Sequence, residues 1–269
     1  MTDHDDPRDE FRPDIPSPAR VYNYILGGKD HYPADRVVAE NTMAALPRAR
    51  DAALENRGFL RRAVHYLAAE AGVRQFLDIG TGLPSYGQVH EIAQDIAFDS
   101  HVVYVDNDPV VLAHGRDMLH GVCGTTILRH DLRDPDAILA DPALRGLLDL
   151  GRPVAVLLVA VLHFIAESED PYELVRRLMK PLPAGSHLVI SHASDDGDDD
   201  VETAIKENYK TSSSAHVRTR AQIETFFTGL ELVEPGLVWT PLWRPDEAGS
   251  PLRDAPARSV CWAGVARKP

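Results

Sequence analysis

The chain has 269 residues, of which 44% are hydrophobic and 26% charged, the composition of a globular protein that buries a sizeable core. Lys and Arg number 28 against 41 Asp and Glu, a net charge of -13, which argues against nucleic acid or an anionic membrane as the main partner, because phosphate binding needs a basic surface. Cys123 and Cys261 are too few for a disulfide framework and lack the spacing of a zinc site, so we expect no metal.

The N-terminal part of the chain is predicted to form a tail followed by a helical cap. Residues 1–16 are rich in Asp and Pro and predict a disordered acidic tail without the apolar stretch of a signal peptide, so a cytoplasmic protein is expected. Residues 17–72 predict a helical cap or lid, and residues 73–269 the main domain. The cap helices are predicted at 17–26, 33–46 and 51–71, where apolar residues recur at helical spacing.

In the main domain, strands alternate with helices. The pattern predicts an α/β fold with a doubly wound, mostly parallel seven-stranded sheet. The predicted strands are 74–79, 102–105, 125–128, 154–162, 187–191, 230–239 and 259–267. Longer helices are expected at 85–97, 109–120 and 171–182, and further helices at 201–210 and 221–227. The acidic run 195–200 and the Ser-rich stretch 211–214 are expected to be loops.

A glycine turn directly follows the first predicted strand. Gly80 and Gly82 stand one residue apart, and Asp78 lies two places before the first of them. Such a turn builds a nucleotide-sized site at the C-terminal end of a parallel strand, and a following helix would direct its N–H groups to the same space. A dinucleotide motif would require a small third residue, and the register places Ser85 there, directly after Pro84.

The turn resembles the first motif of class I S-adenosylmethionine (SAM) dependent methyltransferases. That motif is an acid, any residue, glycine, any residue, glycine, as in Asp78 to Gly82, although Leu83 and Pro84 stand where a third glycine is usual. The resemblance extends to Asp106 at the end of the second strand, which the family places on the two ribose hydroxyls. A carboxylate suits a vicinal diol because it accepts two hydrogen bonds. It extends also to Asp131, where the family often has a contact with the adenine amino group.

Longer segments resemble one actinobacterial family of SAM-dependent methyltransferases, formerly the domain of unknown function DUF574. This resemblance covers nearly the whole chain from about residue 17 and implies SAM as cofactor and S-adenosylhomocysteine (SAH) as product. It leaves the acceptor undefined. The matching segments are SPARVYNYILGGKDHYPADR, NRGFLRRAV, QFLDIGTGLPS, VVYVDNDPVVL, VAVLLVAVLHFI, GSHLVISH and LELVEPGLV.

The resemblance implies a set of cofactor-binding residues around the sheet edge. Tyr24 and Gly28 join this set because they stand on a turn rich in polar and aromatic residues, which suggests a lid. Arg57 or Arg61 is a candidate partner for the methionine carboxylate, or both belong to a solvated helix face. The predicted cofactor-binding residues are Asp78, Gly80, Thr81, Gly82, Asp106, Asn107, Asp131, Leu132, Ala160, Tyr24 and Gly28.

The predicted reaction is methyl transfer from SAM to a small-molecule acceptor. His163 and His31 are candidate bases, required only when the acceptor atom does not lose its proton readily, and His192 is a third. The alternatives are a SAM-binding sensor without catalysis and an NAD-dependent oxidoreductase. The sequence does not define the oligomeric state.

Overall fold

A computed structural model describes residues 12–85, 87–196, 215–246 and 249–269. Most of the predicted acidic tail, the end of the acidic run, the predicted helix 201–210 and the Ser-rich stretch 211–214 lie outside the described residues. Within the described parts of the chain, no helix is both long enough and apolar enough to cross a membrane.

Eight strands form one mixed sheet in the order β3-β2-β1-β4-β5-β8-β6, with β7 also paired to β8. The first five strands are parallel and β8 is antiparallel to its neighbours. This confirms the predicted, mostly parallel α/β sheet. The strands are β1 Gln75–Ile79, β2 His101–Asp106, β3 Thr125–Arg129, β4 Ala155–Val159, β5 His187–Ala193, β6 Glu231–Leu232, β7 Val238–Trp239 and β8 Cys261–Arg267.

The eighth strand comes from a segment that was predicted as a single strand, 230–239. It forms β6 and β7 separately because a turn interrupts it, in which Gly236 adopts a φ of +87° and its N–H donates to the Val233 carbonyl at 2.8 Å. Only a residue without a side-chain Cβ takes this backbone conformation readily. Both short strands pair with β8, so the segment still lies along β8 as the last part of the sheet despite the interruption.

Helices cover both faces of the sheet. Alternate strand residues face opposite sides: Phe76 packs in the cluster that contains Phe59, whereas Leu77 packs in the cluster that contains Leu174. The described helices are α1 Pro18–Ile25, α2 Pro33–Ala45, α3 Ala49–Ala69, α4 Val89–Ile96, α5 Pro109–Met118, α6 Pro135–Ala140, α7 Pro142–Leu147, α8 Pro171–Met179 and α9 Arg220–Thr225.

The cap helices α1 and α2 pack against the start of α3 and the ends of β5 and β8. Val21, Ala52 and Val260 belong to one buried apolar cluster that joins these elements. A buried ion pair, Arg20 with Asp35 at 3.1 Å, links α1 to α2. The Asp35 carboxylate also accepts the backbone N–H of Tyr32 at 2.7 Å, which fixes the entry to α2. The cap is thereby held over the C-terminal edge of the sheet.

Candidate functional site

A cavity of about 290 Å³ lies between the cap and the C-terminal ends of β1, β2 and β4. The strand order reverses between β1 and β4, and ligands of open α/β sheets bind at such a crevice. Nine of the eleven predicted cofactor-binding residues line it, together with the predicted base His163. These nine are Asp78, Gly80, Thr81, Gly82, Asp106, Asn107, Asp131, Leu132 and Ala160.

The glycine turn is shaped by two residues in the left-handed region of the backbone. Gly80 has a φ of +73° and Gly82 a φ of +69°. A Cβ added to Gly80 would stand 2.4 Å from the Cγ2 atom of Val161, a distance that side chains do not reach, so the close approach of β1 to the segment after β4 requires glycine. The Gly80 N–H donates to the Val105 carbonyl at 2.8 Å, which fixes the turn against β2.

The helix after this turn begins later than predicted. It was expected from residue 85 with its N–H groups directed into the site, but α4 starts at Val89. Gly87, with a φ of +75°, delays it, and Gln88 takes the cap position, where its N–H donates to Glu91 at 2.8 Å. No residue of α4 lines the cavity. Backbone and side chains of the turn itself therefore form this wall, without a helix terminus.

Asp78 is a buried carboxyl group at the end of β1. Burial raises its pKa from the usual 3.8 to about 6, and a hydrogen bond from Thr81 and the positive charge of Arg57 offset this only in part. Arg57 lines the cavity and donates to the Gly87 carbonyl at 3.0 Å. Arg61, the alternative considered from the sequence, instead pairs with Asp246 and lies outside the cavity. Arg57 thus places a guanidinium group in the cavity, where its charge acts on the buried carboxyl group of Asp78.

Asp106 connects the glycine turn to the start of α5. Its carboxylate accepts the N–H of Gly82 at 2.9 Å and that of Asp108 at 2.9 Å. Burial raises its pKa to about 6, although these backbone donors lower it. Asp108 caps α5 by accepting the Val110 N–H at 2.8 Å, which leaves Asp106 directed to the cavity. Asp108 therefore serves as the helix cap, whereas Asp106 lines the cavity.

Asp131 is held by two neighbouring side chains. It accepts the amide of Asn107 at 2.9 Å and the backbone N–H of Arg133 at 2.9 Å, and it pairs with the Arg133 guanidinium. Burial by itself would raise its pKa, but these donors outweigh burial and the pKa lies below its usual value. The Arg133 guanidinium also donates a hydrogen bond to the Glu169 carboxylate at 2.5 Å. The side chains at this rim of the cavity therefore form one connected hydrogen-bond network.

The end of β4 is held by a chain of hydrogen bonds that begins in the cap. Ala160 adopts a φ of +57°, which is strained for a residue with a Cβ, and its N–H donates to the Ser191 Oγ at 3.0 Å. The Ser191 hydroxyl donates to the Asn56 Oδ1 at 2.5 Å, and the Asn56 amide donates to the Tyr22 hydroxyl at 3.1 Å. We call Tyr22, Asn56, Ser191 and Ala160 the cap-to-strand chain.

Tyr22 and Asn56 were not among the predicted site residues, yet both line the cavity. Helical spacing contains a signal for Tyr22, because it lies three positions before the buried Ile25, which also lines the cavity. Asn56 is a polar residue within the apolar stripe of α3 and is 3% exposed. A polar side chain in such a stripe needs a buried partner, and Ser191 and Tyr22 supply it.

His163 lines the cavity, and His192 does not. Burial, together with the charge of Arg218, lowers the pKa of His163 to about 3, so the ring is neutral at pH 7. His192 is fully buried in β5, and its Nε2 atom accepts a hydrogen bond from Arg218 at 2.8 Å. Arg218 also donates to the Leu162 and Ile165 carbonyls, so it fixes the turn that carries His163.

The structure places three predicted residues away from the cavity. Tyr24 donates to Glu40 at 2.9 Å and packs edge-on against His31. Gly28 lies against the Asn23 side chain, and a Cβ at this position would meet it at 2.4 Å. The turn folds back on α1 because the Asn23 Oδ1 accepts the N–H of Asp30, which directs the segment away from the cavity. Across the described ranges, no group of three His, Cys, Asp or Glu residues is placed to hold a metal ion.

The observed groups fit SAM. The cavity offers a buried acid beside a glycine turn, an acid that faces the space at the end of β2, and a guanidinium group. A family model described as S-adenosyl methyltransferase matches residues 4–269. The chain belongs to this family. Its cofactor is SAM, as the sequence predicted.

Two crystal structures are similar over nearly the whole chain. A DUF574 family protein from Streptomyces avermitilis is 41% identical with a TM-score of 0.91, and the alignment covers 96% of this chain and 100% of that one. A protein described as a putative methyltransferase from Thermobifida fusca is 40% identical with a TM-score of 0.91, over 97% and 98% of the two chains. Both confirm the predicted family.

A distant likeness shows the fold alone. Human N-acetylserotonin methyltransferase in complex with SAM is 14% identical with a TM-score of 0.51, over 97% of this chain and 65% of that one. The comparison with curated proteins found no match. The alternative of an NAD-dependent oxidoreductase has no support from these findings, and the late start of α4 removes the helix terminus that a dinucleotide site uses.

Proposed function

We propose that this member of the methyltransferase family transfers the SAM methyl group to a small-molecule acceptor bound beneath the cap. The observation that carries the proposal is that the strand ends and the helices α1, α2 and α3 line one and the same cavity. Donor and acceptor held in one enclosed space react with a large entropic advantage. The net charge of -13 favours a small acceptor over nucleic acid, because phosphate binding needs a basic surface.

In this proposal the strand ends hold the cofactor. Asp78 accepts from the methionine ammonium group, Arg57 pairs with the methionine carboxylate, and Gly80 and Gly82 allow the backbone to approach it. Asp106 accepts from the ribose hydroxyls, and the rim of Asn107, Asp131 and Leu132 borders the adenine. The position of each of these residues on the cavity wall supports its proposed role. Bound SAM supplies a methyl group on a sulfonium sulfur, which has a neutral thioether as leaving group.

His163 acts in this proposal as a neutral hydrogen-bonding group. A base is most effective when its pKa lies near the working pH, and burial lowers the pKa of His163 to about 3. Alignment of the acceptor and exclusion of water then supply most of the acceleration. The proposed division into a cap of residues 17–72 and a main domain of residues 73–269, and the cytoplasmic location, belong to the same proposal.

Turnover tests the function directly. We would incubate the full-length protein with SAM labelled on its methyl group and a metabolite extract of the host, then separate the products by mass. The expected result is a labelled small molecule whose formation requires the protein. An Asp106→Ala variant serves as the control that removes the proposed ribose contact. SAM binding without any labelled product would favour the alternative, a sensor that does not catalyse.

A further inference from the structure

The cavity has two chemically different walls. The first carries every charged Asp and Arg side chain that lines the cavity, and these come from the ends of β1, β2 and β3 and from Arg57. We call it the charged half. The second wall, which we call the apolar half, comes from α1, the end of α2, the first turns of α3 and the start of β8. Its residues Ile25, Leu46, Ala49, Ala52, Ala53 and Val260 belong to one buried apolar cluster.

The hydroxyl groups of Tyr22 and Thr42 in the apolar half already have partners. The Tyr22 hydroxyl donates to the Ala53 carbonyl at 3.0 Å and accepts from Asn56. The Thr42 hydroxyl donates to the Val38 carbonyl at 2.8 Å. A charged ligand placed here would lose its water without gaining a countercharge from the described residues, and such a transfer is strongly unfavourable. An apolar ligand gains from the same burial.

The wall of α3 is also flat. Ala49, Ala52 and Ala53 lie at helical spacing on one side of the helix and are all nearly buried, with at most 7% of each exposed. Methyl side chains project little from a helix, so three of them in succession leave a smooth surface. A flat ring system packs against such a surface with more contact than a branched chain does.

We infer that the methyl acceptor is an uncharged, predominantly apolar small molecule with a flat ring system, which lies in the apolar half and directs its nucleophilic atom to the charged half. This inference rests on the proposed function, since it assigns the second substrate of the same cavity. The cofactor occupies the charged half, so the boundary beside His163 and Ala160 is where the two meet. On methyl transfer, the acceptor atom forms a bond to the methyl carbon as the carbon–sulfur bond breaks, and the acceptor proton passes to solvent.

Three ligands with the same ring system distinguish a neutral acceptor from an anionic or a cationic one. We would load the full-length protein with SAH and measure binding of 2-naphthol, 2-naphthoate and 2-naphthylmethylammonium by calorimetry at pH 7.5. The neutral naphthol is expected to bind about tenfold more tightly than either ion, because only the ions lose hydration without a partner. Equal or tighter binding of either ion would overturn the inference. Binding of none of the three, with SAH bound, would also overturn it.

Substitution of Ala52 locates the ligand. Ala52→Leu fills the flat wall and is expected to weaken naphthol binding about tenfold. Ala69→Leu, on the exposed end of the same helix, is the matched control and should bind naphthol as the wild type does. Unchanged naphthol affinity in Ala52→Leu would contradict the proposed position. The comparison of the three ligands uses the wild-type protein, so it decides the class of acceptor even where the variant does not fold.

SAM binding separates this inference from the proposed function. Failure of the wild-type protein to bind SAM would refute the proposed function. Firm SAM binding together with a preference for a charged ring would refute only the class of acceptor.

Discussion

The buried carboxyl group of Asp78 is expected to reduce the stability of the cofactor-free protein at neutral pH. Burial raises its pKa from 3.8 to about 6, more than the Thr81 hydrogen bond and Arg57 lower it. The folded state therefore binds this proton more tightly than the unfolded state does. The resulting stabilisation is fully present below pH 3.8 and is lost as the pH rises through about 6.

The size of the effect follows from the shift. About two pKa units correspond to about 3 kcal/mol of lost stabilisation at pH 7. An Asp78→Asn variant has no charge to desolvate and keeps an oxygen that accepts from Thr81. Its free energy of unfolding at pH 7.5 should therefore exceed that of the wild type by ~1–3 kcal/mol. The difference should shrink below pH 6 and nearly vanish at about pH 4, where the wild-type carboxyl group is protonated as well.

Urea unfolding of both proteins from pH 4 to 8 measures the stability, and calorimetry measures SAM binding. The same variant should bind SAM more weakly by ~1.5–3 kcal/mol, because it loses a charged hydrogen bond to the ammonium group. Asp131→Asn is the matched control: its pKa lies below the usual value, so this variant should lose stability at neutral pH. An Asp78→Asn protein that is less stable than the wild type at pH 7.5 would refute the reasoning.

Three further predictions address other parts of the site. Asp106→Ala should weaken SAM binding by ~1.5–3 kcal/mol in calorimetry, and an unchanged affinity would contradict the ribose contact. Between pH 7 and 5 the SAM affinity of the wild-type protein should fall by about tenfold for each of Asp78 and Asp106, because the ionised carboxylates bind the cofactor and both have a pKa of about 6. A SAM affinity that does not change with pH would count against both roles. Arg218→Met should lower the free energy of unfolding, measured in urea, by about 3 kcal/mol, because Glu167 and two buried backbone carbonyls lose their hydrogen-bond donor. A loss below about 1 kcal/mol would show that other contacts hold the turn that carries His163.

Patterns local in the sequence predicted the charged half of the site. Asp78 and Asp106 come directly at the ends of apolar strands, and parallel strands bring those ends to one edge. The cap role of Asp108 was also predictable, because Pro109 marks the first residue of α5. These features can be predicted from a few neighbouring residues. Only the register between the strands, which sets how close the acids lie, depends on the rest of the fold.

Other boundaries depend on contacts that the sequence does not display. The strand predicted to continue to residue 162 ends at Val159, because Ala160 takes a left-handed conformation stabilised by Ser191 on the neighbouring strand. A lid contact was predicted from the stretch that begins at Tyr22, with Tyr24 and Gly28 as the cofactor-binding residues, and of these three only Tyr22 lines the cavity. Composition suggested Tyr24 and Gly28, but the composition of a segment does not show which of its side chains faces a cavity.

The two halves of the cavity are linked by the cap-to-strand chain. Ala160 remains in a conformation that costs about 1–2 kcal/mol for a residue with a Cβ, so its surroundings must hold it there. Ser191 does so directly, and the Ser191 hydroxyl is oriented by Asn56, whose amide group in turn contacts Tyr22 on the cap. A displacement of α1 therefore removes a hydrogen bond from the chain that fixes the peptide between the two halves. Because the cap carries much of the apolar half, an acceptor that packs there, as we infer, would stabilise the same helix that orients the end of β4.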